Sequence, residues 1–209
     1  MWKKIAFALL LIGIVLYSLP ESAQVDKAYN AQVQQARRQK NLQFRTAADS
    51  PLLAGEKLGF DSLKYFPPDV NYRITAHLHR LDAALAPPLN LRQSDGSTEV
   101  YRQWANVDFT IPGQTALQKL VLLQKAGPAG AQEALFVPFT DATNGHQTYG
   151  GGRYLDLPLP ADGAAEITLD FNAAYNPYCA YNSAYSCPVP PAENKLTVDI
   201  AAGEKAFHD

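Results

Sequence analysis

The chain has 209 residues, 47% of them apolar and 18% charged, enough to build one core and too apolar for a disordered polypeptide. Eighteen basic against 20 acidic residues leave a net charge of −2, which excludes a general nucleic-acid binder, since that function needs a basic face to neutralise phosphates. Fifteen prolines and 13 glycines spread along the sequence favour many short elements over long helices.

Lys3 and Lys4 precede an uncharged, almost wholly apolar run at 5–19, closed by Pro20 and Glu21. A basic start followed by such a run fits a secretory signal peptide. It is short for a spanning helix, which needs roughly 20 residues, although Trp2 and Tyr17 extend it as interfacial anchors. Cleavage after Ala23 would put Glu21 where a small residue is wanted, so 1–23 reads either as a removed leader or as a retained membrane anchor. Both place the remainder outside the cytoplasm, in the periplasm or an equivalent extracytoplasmic space.

Residues 24–48 form a polar, Gln- and Arg-rich lead-in, with Tyr29, Val33, Ala36 and Phe44 as a narrow apolar stripe at helical spacing. This predicts a helix over 26–46 that docks weakly on the part of the chain that follows, a single β domain over 49–209. A loop carries the chain to residue 72, where the period changes to two: Tyr72, Ile74, Ala76 and Leu78 alternate with Arg73, Thr75, His77 and His79. Strands at 89–93 and 98–104 flank the turn Ser94-Asp95-Gly96-Ser97, and alternation resumes through Val107, Phe109 and Ile111. Further strands are expected at 117–124, 134–139, 153–157, 165–171 and 195–201. Eight or nine short strands joined by tight turns predict a mainly β architecture, an antiparallel barrel or closed sandwich with an N-terminal helix.

Two blocks are distinctive. One runs Leu-Phe-Val-Pro-Phe-Thr-Asp-Ala-Thr-Asn-Gly-His-Gln-Thr-Tyr-Gly-Gly-Gly-Arg-Tyr-Leu-Asp at 135–156. The other opens with Leu-Asp-Phe-Asn-Ala-Ala-Tyr-Asn-Pro-Tyr-Cys at 169–179, continues through Cys-Pro-Val-Pro-Pro-Ala-Glu-Asn-Lys-Leu at 187–196 and reaches Ala-Gly-Glu-Lys at 202–205. Together they closely resemble the signature blocks of domain-of-unknown-function family 1684, found in bacteria and archaea. Ser-Pro-Leu at 50–52 and Tyr-Phe-Pro at 65–67 resemble that family's N-terminal part. The resemblance covers roughly residues 30–205. It implies one domain and brings no activity, cofactor or catalytic residue with it.

Read chemically, the first block offers the triplet Gly150, Gly151 and Gly152, whose backbone approaches a partner closely, followed by Arg153, whose guanidinium fork suits a carboxylate or phosphate. The alternative is a bulged hairpin in which Arg153 pairs internally with Asp141, Asp156 or Asp170. The second block places Tyr175, Tyr178, Tyr181 and Tyr185 within eleven residues, beside Asn172 and Glu193. Phenolic rings suit a site with apolar walls and a hydrogen-bonding rim; they equally suit a plug for the end of a barrel. The expected ligand site therefore comprises Tyr149, Gly150, Gly151, Gly152, Arg153, Asn172, Tyr175, Tyr178 and Glu193. Cys179 and Cys187, the only cysteines, are expected to form a disulfide in an exported chain, contributing roughly 2.5 kcal/mol. No cofactor pattern is present, and the pair His77 and His79 reads as a solvated polar face rather than a metal site.

No nucleophile motif or catalytic triad is present. The leading expectation is an exported or membrane-anchored envelope protein that binds a small or extended ligand. One rival is an envelope hydrolase with Glu193 or Asp141 beside Arg153. Another is an assembly factor acting through the N-terminal helix. The sequence sets neither the ligand nor the oligomeric state.

Overall fold

A computed structural model of the protein describes residues 21–82, 86, 88–126 and 134–208. Helix α1 (Glu21–Thr46) and a short α2 (Ala54–Gly59) precede seven strands. These are β1 (Arg73–Arg80), β2 (Pro88–Arg92), β3 (Thr98–Phe109), β4 (Gln118–Lys125), β5 (Ala134–Phe139), β6 (Arg153–Pro158) and β7 (Glu166–Asp170). They form one antiparallel sheet in the order β6-β5-β4-β3-β1-β7, with β2 paired to β3 beside the path. The sheet curls into a nearly closed barrel, in keeping with the expected class. Its two ends meet where Tyr154 of β6 and Tyr175, just beyond β7, exchange backbone hydrogen bonds of 2.9 and 3.0 Å.

The apolar members of each alternating strand fill the barrel: Ile74 and Ala76, Val107 and Phe109, Leu120 and Leu122, Val137 and Phe139, Leu155 and Leu169. Between Gln103 and Ala105 the β3–β4 register slips by one residue, inserting Trp104 into β3. Such a bulge reverses which residues face inward. Tyr101 accordingly leaves the main core and joins Leu91 and Leu123 in a separate apolar cluster. Between β4 and β5 only Leu123 and Phe136 pair. Pro138 has no N–H to give, and a buried amide takes over: Asn194 Nδ2 donates to Val121 O at 3.0 Å and to Pro138 O at 2.8 Å, while its Oδ1 accepts from Val121 N at 2.6 Å.

Three expectations require correction. Residues 195–201 do not form a strand; Leu196 and Ile200 are buried, but apart from a bridge between Thr140 and Lys195 the segment lacks a ladder. The membrane anchor is not borne out: among the described residues no helix is long and apolar enough to cross a membrane, and residues 5–19, on which it rested, lie outside them. The helix stripe is also different. Ala36 is exposed, whereas Arg37 is buried between Tyr29 and Phe44, so α1 docks through Tyr29, Val33, Arg37, Lys40 and Phe44. Phe44 packs with Leu52, Leu63 and Tyr181 in an apolar cluster beneath the helix.

Candidate functional site

α1 lies across the seam where the barrel closes. Tyr29 Oη donates to both carboxylate oxygens of Asp170, at 2.7 and 2.9 Å. Arg37 donates to Phe66 O at 2.7 Å and to Asn172 O at 3.4 Å, with its guanidinium 4.5 Å from the centre of the Tyr65 ring. Lys40 Nζ reaches Glu204, a carboxylate only 1% exposed, at 2.8 Å. Glu204 also accepts from Asn176 Nδ2 at 3.2 Å and from the Tyr181 hydroxyl. Burial and the neighbouring Glu204 charge together hold the Tyr181 phenol well above its ordinary pKa, so it stays a donor.

This docking leaves two adjoining concavities. A cavity of about 330 Å³ lies under the middle of the helix, walled by Val33, Ala36 and Ala174 with Arg37, Arg73 and Tyr65 among its polar groups. A more open groove of about 770 Å³ continues along the barrel rim past Tyr101, Phe136, Tyr154, Tyr178 and Tyr185. Lys40 and Tyr175 border both. Tyr175 Oη donates to Asp156 at 2.7 Å, and Tyr178 and Tyr185 meet edge-to-face at 5.3 Å. The tyrosine-rich loop thus lines a groove, while Tyr181 alone of its four rings is fully inside.

The expected site residues divide. Tyr175 and Tyr178 border the groove, and Asn172 forms part of the cavity wall, its Nδ2 donating to Asp69 O at 2.7 Å. Tyr149 and Gly150 lie instead in a separate surface depression with His146 and Lys205. Glu193 is exposed on a single 3₁₀ turn, Ala192–Asn194, and borders neither cavity. Gly152, at φ +92°, leaves no room for a Cβ, which would lie 2.6 Å from Phe139 O.

Arg153 is 0% exposed and follows the internal alternative. It donates to Asp141 Oδ2 at 2.8 Å, Ile200 O at 2.9 Å, Glu204 O at 3.2 Å and Ala202 O. It therefore clamps the C-terminal segment across the barrel end. Asp141 has no free edge either, since its Oδ1 accepts from the N–H and hydroxyl of Thr143 at 2.9 and 2.6 Å. Of the two carboxylates expected to serve a hydrolase beside Arg153, Asp141 is consumed by structure and Glu193 stands exposed elsewhere.

The disulfide is overturned. Cys179 and Cys187 are free, and Cys187 Sγ accepts the Cys179 backbone N–H at 3.1 Å. A hydrogen bond from Cys187, then one from Tyr149, lowers the Cys179 thiol to about 6, while the same pairing and burial push Cys187 up. The thiolate of Cys179 therefore predominates above about pH 6. Alkylation by iodoacetamide is expected to rise through that pH at Cys179 and to leave Cys187 unmodified at pH 7, as read by peptide mass spectrometry. Equal labelling of the two would contradict this arrangement. Among the described residues no group of three His, Cys, Asp or Glu side chains is placed to hold a metal ion.

Arg37 and Lys40 carry the site, and the apolar stripe alone did not reveal them. The available signal was their position: two basic residues standing where the 29–33–37–40–44 spacing calls for apolar ones.

A nearly closed antiparallel barrel, strapped by one long helix over a tyrosine-lined cleft, defines the architectural class. The chain belongs to the family described as "Protein of unknown function (DUF1684)", whose model matches residues 58–205. It is similar to an uncharacterized protein from gene locus rrnAC0354 of Haloarcula marismortui, whose structure was solved by solution NMR. The two are 36% identical over 88% of this chain and 97% of that one, with a TM-score of 0.67. No curated protein matches.

Proposed function

We propose that this is an exported, non-catalytic binding protein that takes a small ligand in the cleft between α1 and the barrel rim. The observation that carries the reading is that the 330 Å³ cavity adjoins the tyrosine-lined groove, with Lys40 and Tyr175 as shared walls. Pockets of a few hundred Å³ with aromatic walls and few polar groups are the usual setting for small ligands. Export rests on the basic start and the apolar run at 5–19. Neither competing reading has comparable support: Asp141 is spent on Arg153, and the exposed large apolar side chains of α1 are the separate residues Val25 and Leu42.

Native mass spectrometry of the protein purified from its own cells is expected to show a non-covalent mass gain. Tyr175→Ala, which removes the shared wall, is expected to lose it. A wild-type protein that carries no ligand and gains none from an extract of those cells would overturn the binding reading. Fractionation that leaves the chain in the cytoplasm would overturn export alone.

A further inference from the structure

Resting on that binding reading, we infer that the 330 Å³ cavity under α1 seats the carboxylate of a small organic acid, whose apolar body continues into the tyrosine-lined groove. The cavity holds more positive charge than its own acids match. Lys40 is paired with Glu204, and Asp170, whose carboxylate accepts from the neutral Tyr29 and Asn172, leaves a single negative charge in the wall for two arginines. Arg37 and Arg73 remain, and neither forms an ion pair with a carboxylate among the described residues.

Arg37 is the more telling of the two. It is 8% exposed, yet its partners are neutral carbonyls and a tyrosine ring. The Asp170 and Glu204 carboxylates act on this charge from nearby without bonding to it, and an anion supplied by a ligand gives it a direct, charge-assisted partner. Arg37 Nε and the Tyr65 hydroxyl are both buried without a hydrogen-bond partner, and both residues border the cavity. Arg73 sits over the Tyr29 ring at 5.6 Å, exposed and free to turn its fork to a ligand. The remaining walls, Val33, Ala36 and Ala174, favour an acid with an apolar body. Asp170 in the same wall disfavours a doubly charged phosphate.

The test is calorimetric titration of the full chain with 4-phenylbutyrate, with hexanoate, with the primary amide of each, and with inorganic phosphate. At least one acid is expected to bind roughly tenfold or more tightly than its amide, as one charge-assisted guanidinium contact would produce. Arg73→Gln is expected to narrow that difference by about threefold or more, with Arg37 retaining the remainder. Val33→Trp, which fills the cavity from the helix surface, is expected to abolish binding of acid and amide alike. Acid and amide binding equally well would overturn the anion seat and leave the cleft reading standing. Phosphate binding as tightly as the acids, or acid binding that survives Val33→Trp, would overturn the assignment to this cavity and class. If no probe binds, the organic-acid class falls; if the native protein also carries and gains no ligand, the cleft reading falls with it.

Discussion

Arg153→Met is expected to lower the free energy of unfolding by roughly 3–5 kcal/mol, as breaking one side of a buried ion pair does. The replacement fills much of the same volume but leaves the buried Asp141 carboxylate without its counter-charge. It also strips donors from the carbonyls of Ile200, Ala202 and Glu204, which the guanidinium holds in place. Urea denaturation of the single variants and of Arg153→Met/Asp141→Asn completes the measurement. The double variant is expected to lose less than the sum of the two singles, because the second change removes the charge orphaned by the first. A loss below about 1 kcal/mol for Arg153→Met would mean that the side chain is solvated rather than internal.

Gly203→Ala is expected to be nearly as damaging, at roughly 3 kcal/mol, from a strained left-handed backbone and from crowding. Gly203 has φ +76°, and a Cβ there would lie 2.6 Å from Phe171 O and 2.7 Å from Ala174 O. Gly145→Ala provides the control, because Gly145 has nearly the same φ, +77°, with no atom within 4 Å of its Cβ position. That variant is expected to lose only about 1 kcal/mol, the backbone part alone. Equal losses in the two variants would show that crowding at Gly203 is absent. The position matters to the cleft because the next residue, Glu204, holds Lys40 on its wall.

The β-strands were legible because their signal is local. In β1, Ile74 and Ala76 point into the barrel while Arg73, Thr75 and His77 point out, as strict alternation requires. The same pattern misled at 195–201, where Leu196 and Ile200 are buried but the backbone partners come piecemeal from Thr140 O and from the carboxylate of Asp141. Alternation reports burial on one face; it does not report whether a neighbouring strand is present to complete a ladder. The two cysteines were misread for a similar reason. Spacing and inferred compartment bear on whether sulfurs can bond, whereas the observed placement sets the Cys187 sulfur against the Cys179 N–H.

Arg153 exposes the limit of reading chemistry from composition. A glycine triplet before an arginine looks alike whether the guanidinium faces a ligand or the chain's own carbonyls. Only the C-terminal segment folding back over the barrel end decides between them, and its residues 200–204 lie almost fifty positions away. Tyr175 and Tyr178, by contrast, border a groove, since a loop crowded with amphipathic rings is hard to bury completely.

By itself, then, the sequence determined the family, the antiparallel β class and the helix that precedes it. All three are carried by short-range periodicity or by contiguous motifs. The tertiary structure alone decided where the barrel closes, which polar groups are spent within it and which remain facing a cavity. Those outcomes depend on pairings between distant residues, Tyr29 with Asp170, Lys40 with Glu204 and Arg153 with Asp141, whose partners no local pattern specifies.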